Sequence, residues 1–296
     1  MYKIKPYIET FHLCDAASCQ LAAKLVDNGT KFKVEDNHKL ENLPKITMSL
    51  FCLVHGAFQG AWCWDLLIPY LQAQGHKTVA MDLPIEDASA SLWQFADVVL
   101  QALPKTDDDI VLVGHSMAGT VIPLVAEAHQ VRQLVFLTAL IPYPETSTVD
   151  QFSHHLDSDS LKSLNYEPKQ SRQLEQFDDE PYMFNPISAG KDFSDEAVLM
   201  EFFYQDCQPD VMGWAFSKRR LQQSMAYIFE VNPLKALPNV ECKYIVCTDD
   251  RILSPEWSRY AARKRLGVDA IELPGGHCPH LSRPAHLASV LTIDRE

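Results

Sequence analysis

Four short stretches hold the residues best able to do chemistry. The first is Val113-Gly114-His115-Ser116-Met117-Ala118-Gly119, a serine between small residues. A serine hydroxyl is a poor nucleophile at neutral pH and needs a neighbouring base. Histidines that could serve stand in Leu273-Pro274-Gly275-Gly276-His277-Cys278-Pro279-His280 and in Leu53-Val54-His55-Gly56-Ala57-Phe58. Carboxylates that could orient a base stand in Thr248-Asp249-Asp250-Arg251. Six of the 11 glycines (Gly56, Gly60, Gly114, Gly119, Gly275 and Gly276) fall within or beside these stretches. Glycine is needed where φ is positive or where backbone must approach closely.

Each stretch follows a run that reads as a buried strand. LFCLVHG, HKTVAMDLP, DIVLVGHS and RQLVFLTALIP are short, β-rich and apolar. Between them, AWCWDLLIPYLQAQG, ASLWQFADVVLQALP and MAGTVIPLVAEAHQ have helical spacing. Strand–helix alternation over residues 48–142 predicts βαβ crossovers and a mostly parallel sheet covered by helices on both faces. The alternation stops over residues 143–236, which read as polar and helical. It resumes over 237–296 with ECKYIVCTD, PEWSRYAARKRLG, VDAIELP and HLASVLTI. The expected organisation is an α/β core, 48–142 and 237–296, interrupted by a helical insertion too long for a structureless loop. Residues 1–47 read as an N-terminal extension with one short helix and one short strand. In an open parallel sheet, ligands bind at the carboxyl ends of the strands, where these stretches lie.

Composition narrows the partners. The chain has 296 residues, 47% hydrophobic and 22% charged, which excludes global disorder. Its 26 basic and 39 acidic side chains give a net charge of −13, which argues against nucleic acid and anionic membranes as partners. No apolar run reaches membrane-spanning length. The start, MYKIKPYIETFHLCD, lacks the apolar core of a secretory signal, so a cytoplasmic protein is expected. None of the eight cysteines forms a CxxC pair or a zinc-finger spacing. They read as buried free thiols of a reducing compartment.

The strand, tight turn and helix around Ser116 resemble the nucleophile elbow of the α/β-hydrolase family, G-x-S-x-G, with Ala118 in the second small position. The resemblance covers residues 48–296 and implies a carboxylic-ester hydrolase. It assigns Ser116 as nucleophile and His277 as base, with His280 a helix-start residue. Asp250 matches the family's acid, with Asp249 the neighbouring alternative and Glu145 a remote one. The chain order Ser116, Asp250, His277 is that of the fold. The backbone N–H groups of Ala57 and Met117 match the oxyanion donors, and His55 is expected to fix its loop by hydrogen bonds. No metal or organic cofactor is required by this chemistry.

Within the family, HGAFQGAWCW and GGHCPHLSRPAHL look most like the small esterases related to plant methylesterases and hydroxynitrile lyases. Relatives of that group commonly begin just before the first strand, where Met48 stands. The lyases typically have threonine at the position of Gly56 and lysine directly after the histidine, where this chain has Cys278. Esterase is favoured over lyase. The insertion is expected to cap the sheet edge, with Phe58, Phe203 and Trp214 lining a pocket for a small neutral or apolar ester. Trp62 and Trp64 read as helix-face packing, and Asp178-Asp179-Glu180 as a solvated acidic run. A lactonase, a C–N or C–C hydrolase and a non-catalytic small-molecule receptor are the competing readings on this fold.

Overall fold

The structure, a computed structural model, describes residues 48–105, 109–167, 174–193 and 195–293. The expectations for residues 1–47 lie outside them. Six strands form one parallel sheet: β1 Ser49–Val54, β2 Lys77–Ala80, β3 Asp109–His115, β4 Gln133–Leu137, β5 Glu241–Cys247 and β6 Ile271–Leu273. Their spatial order is β2-β1-β3-β4-β5-β6. The chain runs outward from β1 to β2, then returns to place β3 on the other side of β1. Where the order reverses, the loops leaving the two strands part and leave a crevice. Here Val54 at the end of β1 pairs in register with Gly114, so the His55–Phe58 and Ser116 turns leave the sheet side by side.

The strands form where apolar β-branched and aromatic residues run continuously. β1 and β4 are buried along their whole length, as strands covered on both faces must be. Phe51, Leu53, Phe95, Phe136, Tyr244 and Trp257 fill the core. The Tyr244 hydroxyl donates to the Ala139 carbonyl at 2.8 Å, so its burial leaves no unpaired polar group.

The expected helices form, two of them broken by proline. Ala61–Trp64 is a 3-10 turn followed by the helix Ile68–Ala73, and Ser116–Thr120 a 3-10 turn followed by Ile122–Ala128. Pro69 and Pro123 sit in the first turn of each helix, where the missing N–H costs nothing. Helix Leu92–Ala102 starts at a reciprocal Ser91–Gln94 capping box.

Between β4 and β5 the described residues contain the helices Thr148–Phe152, Ser158–Ser163, Glu196–Phe203, Pro209–Ser217 and Ala226–Phe229, and no strand of the sheet. One expectation fails here. Glu180 is not solvated: its carboxylate accepts from Nη2 of Arg265 at 2.6 Å, and both side chains are buried. Arg265 also donates to the Ile141 carbonyl and to Gln151. A carboxylate enters the interior only with such partners. No helix among the described residues is long and apolar enough to cross a membrane.

Candidate active site

Ser116 stands at the abrupt change from β3 to helix with φ 54°, a left-handed conformation that non-glycine residues rarely adopt. Its neighbours explain how the turn is tolerated. A Cβ on Gly114 would lie 2.9 Å from the Ala118 carbonyl, and one on Gly119 would lie 1.9 Å from the Leu140 carbonyl. Ala118 is accommodated fully buried. The Ser116 carbonyl accepts from the Leu140 N–H at 3.1 Å, tying the turn to the loop after β4.

The loop after β1 lies against this turn. A Cβ on Gly56 would meet Cβ of Ser116 at 2.9 Å and Nδ1 of His115 at 2.7 Å, so no side chain fits there without displacement. Nε2 of His55 accepts from the Leu83 N–H at 2.9 Å, which leaves Nδ1–H to donate to the Gly56 carbonyl at 2.8 Å. Burial pulls the His55 pKa down to about 4, keeping the ring neutral and this bonding pattern fixed. His55 therefore holds the loop, as expected. Ala57 and Met117 are buried on either side of the Gly56–Ser116 contact. Phe58 has φ 62°, and its carbonyl accepts from the Arg220 N–H at 2.9 Å.

His277 and Asp250 meet. Nδ1 of His277 lies 2.8 Å from Oδ2 of Asp250, and both side chains are buried. Oδ1 of Asp250 accepts from the Ile252 and Leu253 N–H groups at 2.8 and 3.1 Å. The carboxylate is thus held in one orientation. Asp249 points elsewhere: its Oδ2 accepts from the Gly275 N–H at 3.0 Å and braces the glycine turn before His277. Glu145 is remote, paired with Lys235 at the surface. Among the described residues Nε2 of His277 has no hydrogen-bond partner, so no bond to the Ser116 hydroxyl is closed. The turns carrying the two residues are joined through His115, whose Nε2 lies 2.9 Å from the His277 carbonyl. Thr138 donates to the same carbonyl at 3.0 Å.

Aromatic residues crowd the pair. The Phe203 ring packs edge-on against His277 with centroids 5.4 Å apart, and against Phe58 at 5.9 Å. Trp214 packs edge-on against Trp62 instead, at 5.4 Å. His280 opens the short helix Pro279–Ser282 and is fully buried, its ring 4.5 Å from His115.

Sequence reasoning missed several groups that hold this arrangement. Asp206 accepts from the Gly276 N–H at 3.0 Å, and Gln205 donates to the Asp249 carbonyl at 2.6 Å. Gln59 is fully buried among His115, Cys278 and His280. Those last three side chains have donor atoms within 4.8 Å of one another, a spacing that could hold a metal ion. No signal in the sequence joins them, because β3 and the loop after β6 lie far apart along the chain.

The profile of the alpha/beta hydrolase family matches residues 53–289, well over half the chain. This protein belongs to that family. Similar curated proteins include salicylic acid-binding protein 2 of Nicotiana tabacum, 27% identical over 82% of this chain and 96% of that one. Methylesterase 2 of Arabidopsis thaliana is 27% identical over 81% of this chain and 94% of its own. Among solved structures, a pyrethroid hydrolase from Sphingobium faniae JZ-2 superposes with a TM-score of 0.61 at 25% identity, covering 83% of this chain and 96% of that one. The α/β-hydrolase is thus related to the plant methylesterases.

Proposed function

We propose that this α/β-hydrolase cleaves small, neutral or apolar carboxylic esters through Ser116, His277 and Asp250. Kinship with a methylesterase and a pyrethroid hydrolase makes it a carboxylic-ester hydrolase at the level of reaction class. The observation that carries the finer reading is the state of His277. Its Nδ1 is engaged by a buried carboxylate while its buried Nε2 has no partner among the described residues. With the proton on Nδ1, Nε2 presents a bare lone pair, which is what a general base needs.

In this reading Ser116 Oγ attacks the acyl carbon and its proton passes to Nε2 of His277. Asp250 holds the tautomer and stabilises the imidazolium. The N–H groups of Ala57 and Met117 donate hydrogen bonds to the charge developing on the carbonyl oxygen. Collapse expels the alcohol, which takes the proton back from His277. Water then loses a proton to His277 and attacks the acyl-enzyme; as the acyl–oxygen bond breaks, Ser116 Oγ takes that proton from His277 and the acid is released. Residues 143–236 act as a cap, with Phe58, Phe203 and Trp214 offering apolar surface to the ester. A lactone would follow the same steps with the leaving alcohol retained. The reaction proceeds in the cytoplasm and needs no cofactor.

A lyase reading is disfavoured by Gly56, where any side chain would strike Ser116, and by Cys278, which offers no ammonium to a departing anion. A small-molecule receptor on the same fold draws support from the tobacco relative's name. Turnover of a p-nitrophenyl ester series from acetate to decanoate, beside Ser116→Ala, separates these readings. Loss of the nucleophile should cost up to about 10⁶-fold in kcat with the fold intact. Equal slow rates in both proteins, with tight saturable ligand binding, would select the receptor.

A further inference from the structure

Beneath the His277 loop lies a polar cluster in which proton arithmetic permits only one arrangement. In the structure Oε1 of Gln59 faces Nδ1 of His115 at 3.0 Å, and its Nε2 faces Sγ of Cys278 at 3.3 Å and Nε2 of His280 at 3.5 Å. All of these side chains are buried. The His277 carbonyl can only accept, so Nε2 of His115 must carry the proton that bridges their 2.9 Å separation. A second proton on Nδ1 would make a buried imidazolium with no carboxylate among its contacts. Burial, with His280 and His277 beside it, holds the His115 pKa well below the ordinary range. Nδ1 of His115 is therefore an acceptor, so the carboxamide must turn end for end to bring its NH2 group to that nitrogen. The carboxamide oxygen then faces Cys278 and His280, where it can accept from the thiol and from an Nε2–H. Burial pulls the His280 pKa to about 3, so that ring is neutral and has one such proton to give.

We propose that Gln59 is a positioning residue: its NH2 group fixes His115 in the Nε2–H tautomer, and His115 in turn holds the main chain of His277 in place. This rests on the reading of His277 as the general base. The same donor set has a metal-ligand spacing, but the carboxamide stands in contact with all three ligand side chains. A metal ion would have to expel it. The geometry gives a glutamine a use in a buried site 219 residues from Cys278: it offers a donor and an acceptor on one planar group.

Long-range proton–nitrogen spectra of histidine-labelled protein at neutral pH test this directly, with His115 assigned by comparison with His115→Asn. The expected pattern is a neutral ring protonated at Nε2; an Nδ1–H tautomer or an imidazolium would overturn the proposal. Zinc ion added to the same sample should leave the His115 and His280 signals unmoved. Metal-shifted signals would overturn it, since the amide would have been displaced. In kinetics, Gln59→Leu should lower kcat about 10- to 100-fold with KM within about twofold, because a loosened base is misplaced while the ester surface is untouched. Full kcat in a folded Gln59→Leu protein would overturn it, and if that variant does not fold the wild-type spectra decide. Failure of the triad reading would appear separately, as hydrolysis surviving Ser116→Ala. It would overturn the positioning role whatever tautomer His115 shows.

Discussion

The strand-end turns and the segment between β4 and β5 both build the site, by opposite means. Around Ser116 the backbone does the positioning. Gly56, Gly114 and Gly119 stand where a single added carbon would meet neighbouring atoms at 1.9 to 2.9 Å, so the turns close without room for a side chain at these positions. The β4–β5 segment reaches the same place through side chains. Phe203 lies on His277, and Asp206 holds Gly276. Steric turns of the first kind have one arrangement. Side-chain contacts of the second kind can be exchanged singly, which lets that segment vary while the Ser116 and His277 turns stay put.

After loss of Ser116 itself, the largest effect should come from Asp250, on the backbone-fixed side. Asp250→Asn keeps the size of the side chain and removes the charge that selects the His277 tautomer. A loss of about 10⁴-fold in kcat is expected, as in comparable triads. Asp249→Asn only weakens a brace on Gly275 and should cost about 10-fold or less. Esterase kinetics of the two variants check the contrast. Equal losses would mean that the two neighbouring carboxylates are not divided into acid and brace.

The Arg265–Glu180 pair breaks the other side of the comparison. It ties the β4–β5 segment to the turn after helix Pro255–Ala261. Removing one partner of a buried ion pair strands the other charge and costs about 3–5 kcal/mol. Urea unfolding of Arg265→Ala should show a loss of that size. Arg265→Met combined with Glu180→Gln removes both charges and should recover part of it. If the segment is an independent layer, a separate early transition will appear in Arg265→Ala. A single transition would show that the segment unfolds with the sheet.

The same contrast explains what could be read before the structure. Ser116 was legible because its turn is local: small residues at 114 and 119 and a strand-to-helix switch lie within seven residues. The inner strands β1, β3, β4 and β5 were legible because parallel strands buried on both faces leave long apolar runs. Glu180 misled because an acidic run looks solvated until its partner is known, and Arg265 lies 85 residues away. Gln59 and Asp206 were invisible for the same reason. A polar residue's role in a buried network depends on which distant donors the fold brings to it, and no spacing rule encodes that.

The smallest effect expected is graded, and it belongs to the backbone-fixed region. His55 and His280 are buried and neutral, with pKa values pulled down to about 4 and about 3 by loss of water contact. In the unfolded chain both return to about 6.5, so below that pH the unfolded state binds more protons than the folded one. Their contribution to stability is complete above about pH 7 and is lost as pH falls toward 4 and then 3. Each ring that must be held neutral adds up to about 1.4 kcal/mol per pH unit to that slope. His280→Met should flatten the slope of unfolding free energy between pH 6 and 4 by close to one proton, while leaving the Arg265 link and its stability increment unchanged. Urea unfolding across that range reads both quantities. An unaltered slope would place His280 in water rather than against His115 and Trp64, and would undo the distinction between turns held by neutral buried rings and a β4–β5 segment held by charge.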